Sequence, residues 1–451
     1  MDLTEKICRE VYNLCNKNLP NNVVLQVKKC LLDYLGAVFA GKKIQEAKIN
    51  KLLNYNNNIN INHQSSKIIG MDRFANIETA ILVNGISSHV ADIDDGVNDG
   101  IIHLGSPIFS VLLSLFKKEE LTADRFFKGI VAGYETAYTL AASIQPLHKE
   151  LGYHATGTCG TIGAAVAVAV ARKGSLKDLI NSFSTAVIST SGMLKVIEDG
   201  SELKSYNVGK ASLMGYISSN LAFSGFEVPK NVLEGTNGFF KMFTGKEDII
   251  LANVLRKGTF AIQKVYFKPF AACRYCHPAI EASLNLTKHK DLEIENIEKI
   301  VLHTYYWAVT NHDHSEVNGI TSARMSIPYS IALALVKGKA GISEYTTENI
   351  SNKRILNVAK KVEVISDEEF TKIFPSKTIA LIQIFLKNGD IIKEQVDFPK
   401  GEPENPLTKL EIENKFTELA KYGGKTQKQI DQIISYVWDL ENNLDKLYEL
   451  L

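Results

Sequence analysis

The sequence predicts a mainly α fold, in which a large all-helical domain is interrupted by a smaller inserted α+β domain. Three observations predict it. Apolar residues recur at helical spacing through the first half of the chain; a β-branched, aromatic stretch with a hairpin signal follows residue 260; helical spacing returns after residue 408. The helical domain is placed at 1–262 and 402–451 and the inserted α+β domain at 263–401. A chain of 451 residues exceeds what one core usually serves, so two domains are expected.

The elements follow in order. Residues 5–15, 22–39 and 73–90 carry apolar positions at helical spacing, and the second of these should stop before Gly41-Lys42-Lys43. Residues 54–62 are rich in Asn and read as a polar surface loop. Residues 160–171, GTIGAAVAVAVA, are small and apolar all round, which predicts a helix buried on every side. Thr161 and Gly163 near its start should leave backbone N–H groups to seat an anion. In the second half, 297–306 and 361–365 read as strands, and 378–386 and 391–398 flank Asn388-Gly389, a hairpin signal. Helices over 279–287 and 326–336 can cover that sheet. Gly401 to Pro406 reads as a linker, and 409–420 and 426–450 return to helix.

Composition narrows the function. The formal net charge is +1 and no block of like charges occurs, so neither a nucleic-acid footprint nor a membrane-surface patch is expected. Six cysteines are scattered, and only Cys273 and Cys276 have CxxC spacing, without the second pair a zinc site needs. Isolated thiols and a start without a signal peptide predict a soluble, cytoplasmic protein. No G-x-S-x-G elbow, phosphate-binding loop or dinucleotide fingerprint occurs, so the chemistry must come from side chains.

Several constellations could supply it. His89, Asp92, Asp94, Asp95 and His103 lie in one segment, with Asp92 and Asp95 spaced to share a face of a helical turn. Three readings stay open there: a divalent metal site, a carboxylate that orients a catalytic histidine, or an acidic loop that caps a helix. His154 enters the small-residue helix through Thr156, Thr158 and Cys159, where anions bind, unless it is a core histidine bonded to a carbonyl. Lys204 follows a Gly/Ser turn and is either a carboxylate clamp or a solvated charge. Lys268 and Arg274, among aromatic residues at the domain junction, suit carboxylate recognition but read equally as solvated linker charges. Tyr329 either offers a hydroxyl to the same chemistry or simply packs.

Taken in order, these segments resemble the MmgE/PrpD family, which includes 2-methylcitrate dehydratase, cis-aconitate decarboxylase and iminodisuccinate epimerase. The resemblance rests on Asp33…Gly36…Gly41, His89…Asp92-Ile-Asp94-Asp95…His103, His154-Ala-Thr-Gly-Thr-Cys-Gly, Glu198-Asp-Gly-Ser…Lys204…Gly209-Lys-Ala, Phe267-Lys268-Pro…Cys273…His277-Pro and Asn405-Pro406. It implies a helical domain with an α+β lid, a site between them, a homodimer, and no metal or organic cofactor. Carried over by position, it implies Asp92, His103, His154, Lys204, Lys268 and Tyr329 as pocket residues, with Asp92, His103, His154 and Tyr329 catalytic and the two lysines substrate-binding; Arg274, Thr158 and Cys273, which lie in the same segments, are added as substrate-binding candidates. Four positions depart from the family pattern: Leu104 where proline often follows the histidine, which should loosen His103; Cys273 where decarboxylases carry histidine; Asn207 for the histidine usual after the lysine; and Thr139 for a common arginine. Cys273 argues against decarboxylase specificity.

The reaction implied is a lyase step, 2-methylcitrate-like dehydration of a small di- or tricarboxylate by histidine acid–base chemistry. Epimerisation of an iminodisuccinate-like compound and cis-aconitate-type decarboxylation are the alternatives, and a non-catalytic carboxylate-binding protein is a further one. In this scheme Asp92 orients a histidine, Lys204 and Lys268 bind carboxylates, and Tyr329 donates a proton. Which histidine is the base stays open.

Overall fold

The computed structural model describes residues 1–55, 65–198, 201–252 and 258–451. Most of the Asn-rich stretch, and Asp199 and Gly200, therefore lie outside the described residues. The chain is mainly helical, with two small sheets. It divides into two compact units: unit 1 is 1–196, 202–265 and 408–451, and unit 2 is 197–201 and 266–407.

Unit 1 opens with α1 (Leu3–Cys15), α2 (Asn21–Ile44) and α3 (Glu46–Tyr55). A short antiparallel pair, β1 (Ser65–Lys67) and β2 (Phe74–Asn76), leads into α4 (Ile77–His89). Then follow α5 (Gly105–Leu115), α6 (Ala123–Ile144), α7 (Leu147–Glu150), α8 (Ala155–Ala171), α9 (Leu176–Ile188), α10 (Lys195–Glu198), α11 (Lys204–Phe223) and α12 (Phe239–Thr244). Local signals set several starts. Asp2, Asn76 and Thr122 cap α1, α4 and α6 through their side chains, and Ser175 with Asp178 forms a capping box on α9.

Three helix bounds differ from the sequence expectation. Helix α2 runs through Gly41 to Ile44, because Gly41 is there for a close approach: a Cβ on it would fall 1.8 Å from the Ser87 carbonyl of α4. Helix α4 begins at Ile77, since Phe74–Asn76 pairs with β1. Helix α8 begins at Ala155, with His154 at its N-cap. Thr161 and Gly163 are thus well inside the helix, and the anion seat expected at their N–H groups does not exist there. Thr161 Oγ1 donates instead to the Gly157 carbonyl at 2.8 Å.

Helix α8 is the axis of unit 1, flanked by α6 and α11. Glycine makes the crossings close. A Cβ on Gly163 would lie 2.7 Å from the Gly133 carbonyl of α6, and one on Gly209 of α11 would lie 2.5 Å from the Leu82 carbonyl of α4. Backbone-to-backbone contact of this kind fixes the middle of α8 against α6, and α11 against α4.

Unit 2 contains α13 (His277–Leu286), β3 (Ile297–Thr304), α14 (Tyr306–Val309), α15 (Ile320–Met325), α16 (Ile327–Lys337), α17 (Thr347–Ile350), α18 (Lys353–Ala359), β4 (Val362–Ser366), α19 (Glu368–Ile373), β5 (Ala380–Leu386) and β6 (Ile391–Val396). The sheet order is β4-β3-β5-β6, with β3 parallel to β4 and antiparallel to β5. The hairpin β5–β6 turns at Asn388-Gly389, as the sequence predicts. Along β5, Ala380, Ile382, Ile384 and Leu386 alternate inward, and α13 packs on β5 and β6.

The chain then rejoins unit 1 as α20 (Lys409–Tyr422), α21 (Gln427–Trp438) and α22 (Leu440–Leu450). The expected single helix over 426–450 breaks at Asp439, whose carboxylate takes the Asn442 and Asn443 side-chain amides. Lys415 of α20 is buried against α2: its Nζ pairs with Asp33 and donates to the Ile93 carbonyl at 2.8 Å. Among the described residues, no helix is long and apolar enough to cross a membrane.

Candidate active site

The loop between α4 and α5 carries the polar residues that the sequence singled out, and it is not helical. Asp92 sits in the left-handed region at φ 52°, which an aspartate tolerates better than most residues. The spacing argument that put Asp92 and Asp95 on one face therefore fails, and the two carboxylates part. Asp92 Oδ2 takes the Lys204 ammonium at 2.9 Å. Asp95 turns inward, accepting from the Gly105 N–H at 2.9 Å and from the Tyr134 hydroxyl at 2.6 Å. Burial, with Asp33 nearby, pushes its carboxyl up to about 7.

The carboxylate that meets the histidines is Asp94, not Asp92. Both its oxygens lie 2.9 Å from His89 Nδ1, and Ser106 Oγ donates to Oδ2 at 2.6 Å. His103 Nδ1 is 3.4 Å from the same Oδ2, and 2.7 Å from the Asp95 carbonyl oxygen. A carbonyl only accepts, so His103 Nδ1 carries the hydrogen and the lone pair of the neutral ring is on Nε2. The His103 backbone N–H donates to Thr156 Oγ1 at 3.1 Å, which ties the loop to the first turn of α8. Leu104, where the family often has proline, is fully buried.

His154, at the N-cap of α8, completes the cluster. The His89 and His103 ring centroids are 4.6 Å apart, and those of His89 and His154 are 6.3 Å apart. Asn207 Nδ2 lies 3.3 Å from His154 Nδ1. An amide nitrogen only donates, so Nδ1 accepts and Nε2 of the neutral ring carries the hydrogen. Burial, followed by the neighbouring His89 and Lys204, pushes His154 well below the usual histidine range. The two histidines are thus fixed in opposite tautomers.

Exposure sorts the cluster into front and back. The side chains of His103, Lys204 and Asp92 keep 13%, 15% and 9% exposure, whereas His89 and Asp94 keep 0% and 2%. A ligand can reach the first three; His89 and Asp94 support them from behind. His89 Nε2 finds no partner among the described residues. His89, Asp94 and His103 also offer ligand atoms within 4.8 Å of one another, a donor set that suits a divalent ion. Thr158 is absorbed elsewhere: its hydroxyl lies 3.1 Å from His148 Nε2, and burial pushes His148 down to about 3.

The remaining sequence-predicted residues lie in unit 2. Arg274 is ion-paired with Glu402 and stacks 4.4 Å over the Tyr266 ring. The pair uses Nη2, while Nε and Nη1 have no hydrogen-bond partner among the described residues, and Glu402, read as linker, is only 2% exposed. Cys273 Sγ faces His312 Nε2 at 3.9 Å, and His312 Nδ1 donates to the Met325 carbonyl at 2.8 Å. Lys268 is buried. Tyr329 is buried too; its hydroxyl has no partner among the described residues, and burial raises its pKa above the usual range.

The MmgE/PrpD N-terminal domain matches residues 5–251, and the MmgE/PrpD C-terminal domain matches residues 270–440. The chain belongs to the MmgE/PrpD family. Cis-aconitate decarboxylase of Aspergillus terreus is 24% identical over 487 aligned positions, covering 99% of this chain and 94% of that protein. Cis-aconitate decarboxylase of Mus musculus is 24% identical, covering 92% and 86%. The mitochondrial 2-methylcitrate dehydratase of Yarrowia lipolytica is 25% identical over 186 residues, 39% of this chain and 35% of its own length.

As an MmgE/PrpD protein the chain carries partners that sequence reasoning passed over. His89 and Asp94 stood in the motif without an assigned role, and their five-residue separation gives no periodic signal. Thr156 was marked only as part of the helix entry, and Ser106 had no assigned role. Asn207 was noted only as a departure, yet it sets the tautomer of His154.

Proposed function

We propose that this MmgE/PrpD protein is a lyase on a small di- or tricarboxylate, with His103 as the base and His154 as a neutral hydrogen-bond donor to the departing group. The opposed tautomers of the two rings carry the reading: His103 presents a lone pair at Nε2, and His154 an N–H at Nε2. Lys204 lies beside them and has donors to share between Asp92 and a substrate carboxylate, so it can hold charge that develops next to the scissile bond. His103 then takes a proton from the carbon α to a carboxylate and, as the imidazolium, returns it to the departing hydroxide so that water leaves, while the Nε2–H of neutral His154 holds the leaving oxygen by a hydrogen bond. From unit 2, the resemblance carries over Lys268 as a carboxylate binder and Tyr329 as a proton donor.

Elimination of water from a 2-methylcitrate-like substrate is the first reading, supported by Cys273 at the position where decarboxylases carry histidine. Decarboxylation of a cis-aconitate-like substrate is the second, favoured by relatives of that activity that cover nearly the whole chain. Incubation with 2-methylcitrate and with cis-aconitate separates them: the first gives alkene absorbance without carbon dioxide, the second gives carbon dioxide. In either case His103→Ala and His154→Ala should each lower kcat by about 10²–10⁴-fold while leaving the melting temperature within a few degrees. Full activity in both variants would sink the mechanism. Activity lost on exhaustive chelation and restored by a divalent ion would reassign His89, Asp94 and His103 as metal ligands. The homodimer that the resemblance implies is checked by light scattering.

A further inference from the structure

We propose that a second cavity of unit 1, between α1, α6 and residues 249–251, binds a small aliphatic cation, an alkylammonium or alkylguanidinium, on the Glu135 carboxylate. The cavity holds about 180 Å³. That exceeds the roughly 150 Å³ of an engineered apolar void that takes up benzene. Ile7 and Val11 of α1, with Ile249 and Leu251, give it an apolar wall. Its polar lining is Glu135 and, one turn on along α6, Thr139, with Lys6 and Glu10 from α1. None of these residues belongs to the histidine cluster.

Glu135 is the reason to expect a ligand. The residue is 2% exposed. Its Oε1 accepts from the Ala261 N–H at 2.6 Å, but its Oε2 has no partner among the described residues. A buried carboxylate oxygen left without a donor is costly, and burial accordingly pushes this carboxyl up to about 8. With Glu10 also on the wall, ionised Glu135 makes the lining net negative against the single Lys6. An anion would meet two carboxylates there. A cation with N–H donors and an aliphatic body satisfies Oε2, offsets the charge and fills the apolar end.

The proposal predicts a pH signature. Lys6, Glu10 and Cys15 face Glu135 from α1, Tyr138 lies on its own helix, and Lys264 beyond Ala261 is paired with Asp99. Burial pushes the Cys15 thiol up to about 12 and raises the Tyr138 phenol further, so neither titrates near neutrality. A cation must displace the proton of Glu135, so its affinity should rise by about 100-fold from pH 6 to pH 9, with proton release on binding.

Calorimetric titration of the full chain with n-butylammonium and n-butylguanidinium, against n-butanol as the neutral control, tests this. Binding of a cation that strengthens with pH and is lost in Glu135→Gln supports the site. A second variant guards against misfolding of the first: Thr139→Arg should tether a guanidinium beside Oε2, raise the melting temperature and abolish binding of the free cation. Equal affinity for n-butanol, pH-independent affinity, retention of binding in Glu135→Gln, or no binding of either cation at millimolar concentration would each overturn the proposal.

Discussion

Asp94 holds no substrate-facing position, yet it bonds His89 and lies within reach of His103, and Ser106 fixes its orientation. Asp94→Asn replaces an acceptor with an amide that can present a donor to the same ring nitrogens, which favours the wrong tautomer. It should lower kcat by about 10²–10⁴-fold with little change in KM. Asn207→Asp makes the complementary change at His154, converting the donor at Nδ1 into an acceptor; it should raise the His154 pKa and shift the acidic limb of the rate profile toward neutral pH. A pH–rate profile identical to that of the unaltered protein would remove Asn207 from the argument. At this scale the sequence was partly legible. His103, His154, Lys204 and Asp92 were marked by type and order. Their pairing was not, because the left-handed turn at Asp92 reverses the direction of the loop, and no spacing rule for helix or strand describes it.

Helices were legible where periodicity and caps agreed, as in α1 and α20, and the Asn388-Gly389 turn marked the hairpin of unit 2. They were misread where glycine serves packing rather than termination. Gly41 looked like a stop and is a contact point, and the start of α8 was placed late because His154-Ala-Thr-Gly-Thr has no consensus cap. The crossings carry a prediction at this scale. Gly163→Ala drives a methyl to 2.7 Å from the Gly133 carbonyl and 2.8 Å from Ala137 Cβ, so α6 and α8 must separate. We expect a loss of about 2–3 kcal/mol in urea unfolding, together with reduced activity, since the movement shifts the helix that ends in His154. A fully stable variant would show that the crossing has slack.

For the whole molecule, buried titratable groups set opposite limits on stability with pH. Glu135 is raised from 4.5 to about 8, so its unfolded form releases a proton first and stability falls as pH rises through that window. His148 is lowered from 6.5 to about 3, so stability falls as pH drops from 6.5 toward 3. Melting temperature should therefore peak on the mildly acidic side, and Glu135→Gln should flatten the alkaline slope, a recovery on the order of 2–5 kcal/mol at pH 8. An unchanged alkaline slope would contradict the buried-acid assignment. The mainly helical class with a small α+β part was readable from the switch in periodicity after residue 260 and its return near 409, whereas the Lys415–Asp33 pair joins positions 382 apart and left no trace in the sequence. Lys415→Met should cost about 3–5 kcal/mol by removing the ammonium from the buried Asp33 carboxylate, and Asp33→Asn in the same chain should restore much of it. That pair also has a temporal meaning. Lys415 reaches the Ile93 carbonyl between Asp92 and Asp94, so the loop that carries the histidine partners lacks its anchor until the ribosome has made α20. A nascent chain stalled before residue 415 would carry every histidine of the cluster while the loop lacks this one of its ties.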